Sequence, residues 1–235
     1  MIANIKDLSG KILDIKYKRV KEGLKIDVPE IDEYLRYKQA NFNVLIGHSN
    51  VGKTTVILYF FTLWAIKHKL KFLVWSSENT TQSIVRKIIE YKMQKTINQA
   101  DDNSINDALL WCDQHFKVIE VEKLVTYKDL LKDALHVKKT FDYNCLLIDP
   151  YNSLAKENSL LKSLGGHEYD YQVATEFRLF AKTNNITLYL NAHGVTEALR
   201  RSHPKGHEYE YLPQPLSMAS FEGGGKWANR ADDVI

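Results

Sequence analysis

Short apolar runs alternate with amphipathic stretches along most of this 235-residue chain. Each run is mostly apolar and is followed by a polar or turn-forming residue, as expected of buried strands. The runs are FNVLI from Phe42, KFLVW at 71–75, FKVIEV at 116–121, CLLI at 145–148 and ITLYL at 186–190, and ADDVI at 231–235 resembles the entry to a sixth strand. Because helical stretches separate them, they predict an α/β fold with a mostly parallel central sheet and helices on both faces.

The helical stretches are predicted at 51–69, 80–98, 104–115, 127–139 and 168–184. Thr126, three positions before Asp129, is a typical capping residue for the fourth of them. Two segments, 150–167 and 192–228, hold turn-forming residues and little periodicity, so we expect loops there.

The first 40 residues differ from the rest of the chain. Residues 1–27 mix short apolar runs with many lysines, which favours an irregular or short-stranded lead-in. Pro29 then opens an amphipathic stretch at 29–38, and proline is common at a helix start because its missing N–H would be unpaired there anyway. We therefore predict a lead-in segment at 1–40 and one α/β domain at 41–235.

Composition excludes several classes of protein. The chain is 44% hydrophobic and 26% charged, as in ordinary globular proteins. Its two cysteines, Cys112 and Cys145, have no metal-site spacing, which excludes a disulfide scaffold or a zinc ribbon and favours a reducing compartment. No apolar run approaches the roughly 20 residues of a membrane span, so no membrane partner is expected. A net charge of +3 is too small to indicate nucleic acid binding by itself.

The strongest chemical signal is GHSNVGKT at 47–54, which fits the phosphate-loop pattern G-x-x-x-x-G-K-[ST]. An apolar run precedes it and a helical stretch follows, so a chance match on a glycine-rich turn is the weaker interpretation. Lys53 would reach the β- and γ-phosphates of ATP, and the Thr54 hydroxyl would ligate Mg²⁺. The predicted nucleotide-binding residues are Gly47, His48, Ser49, Asn50, Val51, Gly52, Lys53, Thr54 and Thr55.

Three further residues follow predicted strands, where ligands of parallel sheets bind. Asp149 closes CLLI and is a candidate metal-linked carboxylate, although it would otherwise be a solvated turn residue. Glu78 follows the strand at 71–75, which we expect beside the phosphate-loop strand, so Glu78 is a candidate for orienting water or else a helix-entry glutamate. His193 follows ITLYL and is a candidate γ-phosphate sensor or a structural histidine.

These motifs, in this order, resemble the RecA-type motor of DnaB-like replicative helicases, a family that includes the helicase half of phage primase–helicases and the mitochondrial replicative helicase. The resemblance covers about residues 24–235. WSSE with Glu78 is similar to a motif whose glutamate activates water, and LLIDPYNSL with Asp149 is similar to the Walker B strand. LYLNAH with His193 is similar to a phosphate-sensing strand end, and LPQPLSMASFEGGGKWANRADDVI is similar to the family's late block.

The resemblance implies that residues 41–235 are a RecA-like P-loop NTPase that hydrolyses ATP with Mg²⁺. It would move on single-stranded DNA during replication as a homo-oligomeric, hexameric ring with replication partners, in the cytoplasm of a bacterial or phage-infected cell. It also implies that the loops at about 152–167 and 194–226 face DNA. Arg200, Arg201 and Lys205 lie in the second loop and would contact phosphates, unless they form only a solvated surface.

Some features depart from the family or stay open. Glu222 stands where the family often has an arginine. The family's arginine finger lies beyond the strand at which this chain ends, so we expect either a fragment or a shorter relative that works differently. Two similar pentapeptides, HEYDY at 167–171 and HEYEY at 207–211, could stack bases or be helix entry and chance. A RecA-like recombinase or mediator, and a nucleotide-switched module without hydrolysis, remain alternative functions.

Overall fold

The computed structural model describes residues 5–17, 23–48, 50–120, 123–195, 200–217, 220 and 225–235. They belong to two compact units, Met1–Lys38 and Gln39–Ile235. The predicted Ser49 of the phosphate loop and Glu222 of the late block lie outside the described residues.

The first unit holds a 3-10 turn, Ile5–Leu8, and two helices, α1 at Ser9–Lys16 and α2 at Pro29–Asp32. The prediction of an irregular or short-stranded segment over residues 1–27 is therefore wrong for Ser9–Lys16, which form α1. The helix expected over 29–38 ends at Asp32, because residues Leu24 and Tyr37 then pair as an antiparallel bridge that needs an extended chain.

The second unit contains the sheet and six further helices among the described residues. The strands are β1 (Phe42–Gly47), β2 (Phe72–Ser76), β3 (Phe116–Ile119), β4 (Cys145–Asp149), β5 (Thr187–His193) and β6 (Asp233–Val234). The helices are α3 (Lys53–His68), α4 (Thr81–Met93), α5 (Asp102–His115), α6 (Tyr127–Lys138), α7 (Asn158–Asn184) and α8 (Gly225–Ala228). Every pairing between these strands is parallel, so the predicted fold class is confirmed.

The strand order is β3-β2-β4-β5-β1-β6. Strand β2 was expected beside the phosphate-loop strand β1, and this is wrong, because β4 and β5 lie between them. Hydrophobic periodicity identifies strands but carries no information on which strands become neighbours. The carboxyl ends of β1, β2, β4 and β5 still meet at one edge of the sheet, since all four run in the same direction.

Helix α7 begins at Asn158, inside the segment 150–167 that was predicted as a loop. Leu160 and Leu161 pack against the hydrophobic core, which stabilises this helical turn although the segment ends in two glycines. Gly165, with φ 74° and ψ 160°, interrupts the helical backbone. The first of the two expected DNA-facing loops is therefore mostly helical.

Aromatic side chains fill the core on both faces of the sheet. Phe42 contacts Phe177 and Trp227 with ring centroids 6.0 and 6.3 Å apart. Elsewhere in the core, Phe61 stacks on Phe72 at 4.3 Å. The predicted cap of α6 is confirmed, since the Thr126 hydroxyl accepts a hydrogen bond from the backbone N–H of Asp129.

Both cysteines are buried free thiols. Burial raises the pKa of Cys112 to about 12 and raises the pKa of Cys145 as well. A thiol with so high a pKa is a poor nucleophile at neutral pH.

Candidate active site

The loop between β1 and α3 wraps tightly around its own lysine. Asn50 and Gly52 adopt positive φ angles of 61° and 90°, which curl the backbone before α3 begins at Lys53. At Gly47 an added Cβ would lie 3.2 Å from Lys53 Cδ and 3.3 Å from a Val51 methyl group. A side chain would therefore crowd this position, which explains why glycine stands there.

The ammonium group of Lys53 closes the loop from inside. It donates hydrogen bonds to the carbonyl oxygens of Gly47 and His48, at 3.0 and 2.8 Å. Burial lowers the pKa of Lys53, and the nearby carboxylates of Glu78 and Asp149 act in the opposite direction. The lysine is thus a partly desolvated cation beside two acidic side chains.

Asp149, at the end of β4, is almost fully buried and well supplied with hydrogen-bond donors. The Thr54 hydroxyl lies 3.1 and 3.0 Å from its two carboxylate oxygens. Ser76 Oγ donates at 3.0 Å and Asn191 Nδ2 at 2.7 Å. Asn79 Nδ2 donates as well, at 3.5 Å, and because all these donors are neutral they fix the orientation of the carboxylate without cancelling its charge.

Ser76, Asn79 and Asn191 were not singled out from the sequence. Asn79 bonds to Ser76 Oγ through both its backbone N–H, at 3.2 Å, and its side-chain amide, at 3.3 Å. All three residues lie just after an apolar run, in WSSEN and LYLNAH, close to the predicted site residues Glu78 and His193. Polar residues that follow apolar runs are therefore the sequence feature by which these three residues could be identified.

Glu78 and His193 form the second part of the site. Glu78 Oε1 lies 3.0 Å from His193 Nε2. The backbone N–H of His193 also donates to Asn152 Oδ1 at 3.2 Å. The Glu78 side chain keeps 47% of its surface exposed, so it is accessible to water.

A cleft of about 440 Å³ brings these side chains together. Its lining includes Lys53, Thr54, Glu78, Asp149 and His193. Lys87 also lines the cleft, where its ammonium group donates to the Thr55 hydroxyl at 3.0 Å. Predicted residues at or beyond the carboxyl ends of β1, β2, β4 and β5 thus converge on one concave surface.

The cleft fits a nucleotide with Mg²⁺. The curled loop offers backbone N–H groups and the N-terminus of α3, a 16-residue helix, both of which favour phosphate. Thr54 and Asp149 are close enough to serve as ligands of one ion. Among the described residues there is no cluster of three His, Cys, Asp or Glu side chains that could hold a metal. Two oxygen ligands from the protein, completed by phosphate and water, suit Mg²⁺.

Residues 200–214 form what we call the basic hairpin. Ser202 pairs with Pro213 in an antiparallel bridge, and the N–H of Gln214 donates to the carbonyl of Arg201 at 2.9 Å. Arg200, Arg201 and Lys205 are exposed on this hairpin, outside the cleft lining. His48 of the phosphate loop lies with Nε2 3.0 Å from the carbonyl oxygen of Gln214, so the loop and the hairpin are in direct contact.

The two similar pentapeptides have different surroundings. In the first, Tyr169 is buried and its hydroxyl accepts from the N–H of Glu157 at 3.1 Å, while Arg230 lies 4.4 Å from the centre of the Tyr171 ring. In the second, Tyr209 and Tyr211 are exposed at 50% and 71% near the tip of the basic hairpin. Tyr169 and Tyr171 thus make contacts within the fold, whereas Tyr209 and Tyr211 are exposed to solvent.

Comparison with known proteins gives matches only among solved structures. No family model and no curated protein matches the chain. One similar structure is described as an ATPase domain, with a TM-score of 0.75 and 12% identity over 100% of this chain and 83% of that one. Another is a DnaB-like replicative helicase described with its interactions with primase, with a TM-score of 0.72 and 13% identity over 100% of this chain and 56% of that one.

These similarities confirm the RecA-like ATPase fold and, at the level of the fold, the expected resemblance to DnaB-like helicase motors. At 12–13% identity they establish the fold alone. Within the described ranges, no helix has both the length and the apolar character to cross a membrane.

Proposed function

We propose that this chain is an ATP-dependent DNA helicase motor that hydrolyses ATP with Mg²⁺ to move along single-stranded DNA during replication. The observation that carries the proposal is the convergence of Lys53, Thr54, Asp149, Glu78 and His193 on one cleft of a helicase-like ATPase fold. Each of these residues has a distinct role in the proposed reaction.

ATP binding is assigned to the phosphate loop. On binding, the phosphates would replace the carbonyl oxygens of Gly47 and His48 as partners of the Lys53 ammonium group. Because Lys53 is partly desolvated, its attraction to phosphate is weakened less by water than that of a surface lysine. Bound Mg²⁺ would neutralise phosphate charge, and Thr54 and Asp149 would hold it.

Water activation is assigned to Glu78. Its exposed carboxylate would accept a proton from the water that attacks the γ-phosphorus, while ADP leaves with the electron pair of the broken P–O bond. His193, 3.0 Å away, would hold the carboxylate in position. His193 also links this position to Asn152, through its backbone, and would report loss of the γ-phosphate.

Coupling to DNA is assigned to the contact between His48 and the basic hairpin. A change in the loop when phosphate is released would reach the hairpin through the Gln214 carbonyl. Arg200, Arg201 and Lys205 would hold DNA phosphates at the exposed hairpin surface. A hexameric ring, replication partners and a cytoplasmic location complete the proposal, and the two buried free thiols agree with a reducing compartment.

The decisive functional experiment is unwinding of a fork substrate, measured with ATP turnover in the presence and absence of single-stranded DNA. The proposal expects DNA-stimulated turnover and strand separation, both lost in Lys53→Ala. Filament formation on DNA without unwinding would instead identify a recombinase or mediator. Nucleotide binding with no turnover at saturating DNA and Mg²⁺ would identify a nucleotide-switched module.

A further inference from the structure

A second concave surface lies at the edge of the sheet where β2 and β3 begin, opposite the edge that carries the nucleotide cleft. It is a cavity of about 770 Å³, larger than the nucleotide cleft. We call it the lysine cavity, and its lining includes Lys69, Lys71, Trp111, Asp113, Lys117 and Phe141. None of these residues has a role in the proposed hydrolysis.

The floor of the lysine cavity is aromatic. The Trp111 ring stacks on His115 with centroids 4.7 Å apart and packs near Phe116 at 5.9 Å. Trp111 is only partly buried, whereas the other three tryptophans of the chain are buried. Ile66, 43% exposed, adds an aliphatic side chain to the wall. A large apolar side chain entering here would remove this surface from water.

The rim of the lysine cavity is positively charged. The ammonium groups of Lys71 and Lys117 lie 5.2 and 5.7 Å from the centre of the same Phe141 ring, so two cations face one small area. Lys69 adds a third cation, and Asp113, which pairs with Lys117, is the one carboxylate among the described residues of the lining. The cavity therefore combines an apolar floor with an excess of positive charge.

We propose that the lysine cavity binds an acidic peptide segment of a partner protein, with one large apolar side chain inserted beside Trp111. The lysines would pair with carboxylates of the segment, and the aromatic floor would bury the apolar residue. Helices α3 and α5 end at this edge, and the partial negative charge of their C-termini weakens the attraction for any anion, so the three lysines must supply the attraction. An acidic peptide with one large apolar residue complements both the positively charged rim and the aromatic floor.

The test uses the full chain and a fluorescein-labelled peptide, Asp-Glu-Asp-Glu-Ser-Gly-Leu-Phe. Two control peptides separate the contributions: one with Asn and Gln in place of the four acidic residues, and one with Ser in place of Leu and Phe. Binding is measured by anisotropy and by protection of tryptophan emission from acrylamide, because Trp111 is the partly buried tryptophan. We expect the acidic peptide to bind, to protect the emission and to weaken with added salt, and we expect each control peptide to bind at least about fivefold more weakly.

The variants ask whether binding occurs at this cavity. The double variant Lys71→Gln/Lys117→Gln should weaken binding about five- to tenfold, the effect of losing two surface ion pairs. Ile66→Asp, at an exposed position that should tolerate it, should weaken binding by repelling the carboxylates. Lys132→Gln, an exposed lysine on α6, is the matched control and should change nothing. ATP affinity should stay constant in all of them, which shows that the variants are folded.

Three results would overturn the proposal. The first is no binding of the acidic peptide at concentrations up to about 1 mM, which would already be a weak affinity for a recruitment contact. The second is equal binding of the acidic peptide and the neutral peptide. The third is unchanged affinity for the acidic peptide in both cavity variants. Because the cavity is at the opposite edge from the nucleotide cleft, each result leaves the proposed ATP hydrolysis untouched.

Discussion

Glu78 Oε1 lies 3.0 Å from His193 Nε2, and this contact joins the ends of β2 and β5, two strands that β4 separates in the sheet. The Asp149 carboxylate stands at the end of that intervening strand, where Ser76 and Asn191 donate to it from the flanking strands. Three neighbouring strand ends thus place the Glu78–His193 pair and the Asp149 carboxylate side by side.

His193 should act on hydrolysis through Glu78. His193→Ala removes the side-chain partner of the carboxylate and should lower kcat about 10- to 100-fold, less than loss of the base itself. His193→Gln keeps an N–H donor and should recover most of that loss. Steady-state ATPase assays give kcat, and ATP affinity should change little in either variant. Equal activity of the alanine variant and the parent protein would remove His193 from the mechanism.

Asn191 should contribute to the stability of the fold through its hydrogen bond to Asp149. Its Nδ2 donates to Asp149 at 2.7 Å, and its buried Oδ1 has no hydrogen-bond partner within the described part of the chain. Asn191→Asp would place a second carboxylate against Asp149 and should destabilise the fold by at least about 2 kcal/mol, a fall in Tm of roughly 4–8 °C.

Asn191→Leu is the matched control, because it removes the donor without adding charge. It should lower Tm by less than the aspartate variant, and thermal melts in the presence of EDTA compare the two. A Tm for Asn191→Asp equal to that of the parent protein would contradict the described contact.

Lys53 should be required for ATP binding and hydrolysis and should contribute little to the stability of the fold. Its pKa is lowered by burial, which means that the folded protein holds the charged ammonium group less favourably than water does. Lys53→Ala should therefore abolish measurable ATP hydrolysis and weaken ATP binding, while Tm falls by no more than about 3 °C, which is about 1 kcal/mol for a domain of this size. Calorimetric ATP titration and thermal melts of the same preparation decide this.

The basic hairpin should contribute the salt dependence of DNA binding. Replacing Arg200, Arg201 and Lys205 by alanine should weaken single-stranded DNA binding and flatten the plot of log affinity against log salt by about 2, or about 0.7 for each lost phosphate contact. Lys132→Ala with Lys139→Ala, on the exposed face of α6 and just beyond its end, is the control and should leave the slope unchanged. An unaltered slope in the hairpin variant would place these three residues outside the DNA path.

The sequence was sufficient to predict that Lys53, Asp149, Glu78 and His193 gather at one edge. Each follows an apolar run, and parallel strands deliver their carboxyl ends to the same edge whatever their order. The phosphate-loop pattern then identifies that edge, because its spacing requires a strand before it and a helix after it.

Other features depend on contacts between distant residues and could not be predicted in this way. Hydrophobic runs do not reveal that β4 and β5 separate β1 from β2. The helix that begins at Asn158 depends on the packing of Leu160 and Leu161 against the core. The glycine pair that follows them favours a loop in the local sequence pattern, so this part of the helix is not predicted. The roles of Ser76 and Asn191 beside Asp149 appear only when β2, β4 and β5 are adjacent.

The most direct test of the central claim is to measure ATP turnover and ATP affinity together in Glu78→Gln and in the parent protein, with Mg²⁺ and single-stranded DNA. Glutamine keeps the size of the side chain and its contact with His193 but cannot take a proton from water. We predict that kcat falls about 10²- to 10⁴-fold, as for loss of a general base, while the Kd for ATP changes less than about threefold. Turnover equal to that of the parent protein, or a loss of ATP affinity that matches the loss of turnover, would contradict the assignment of Glu78 as the base of an ATP-hydrolysing motor.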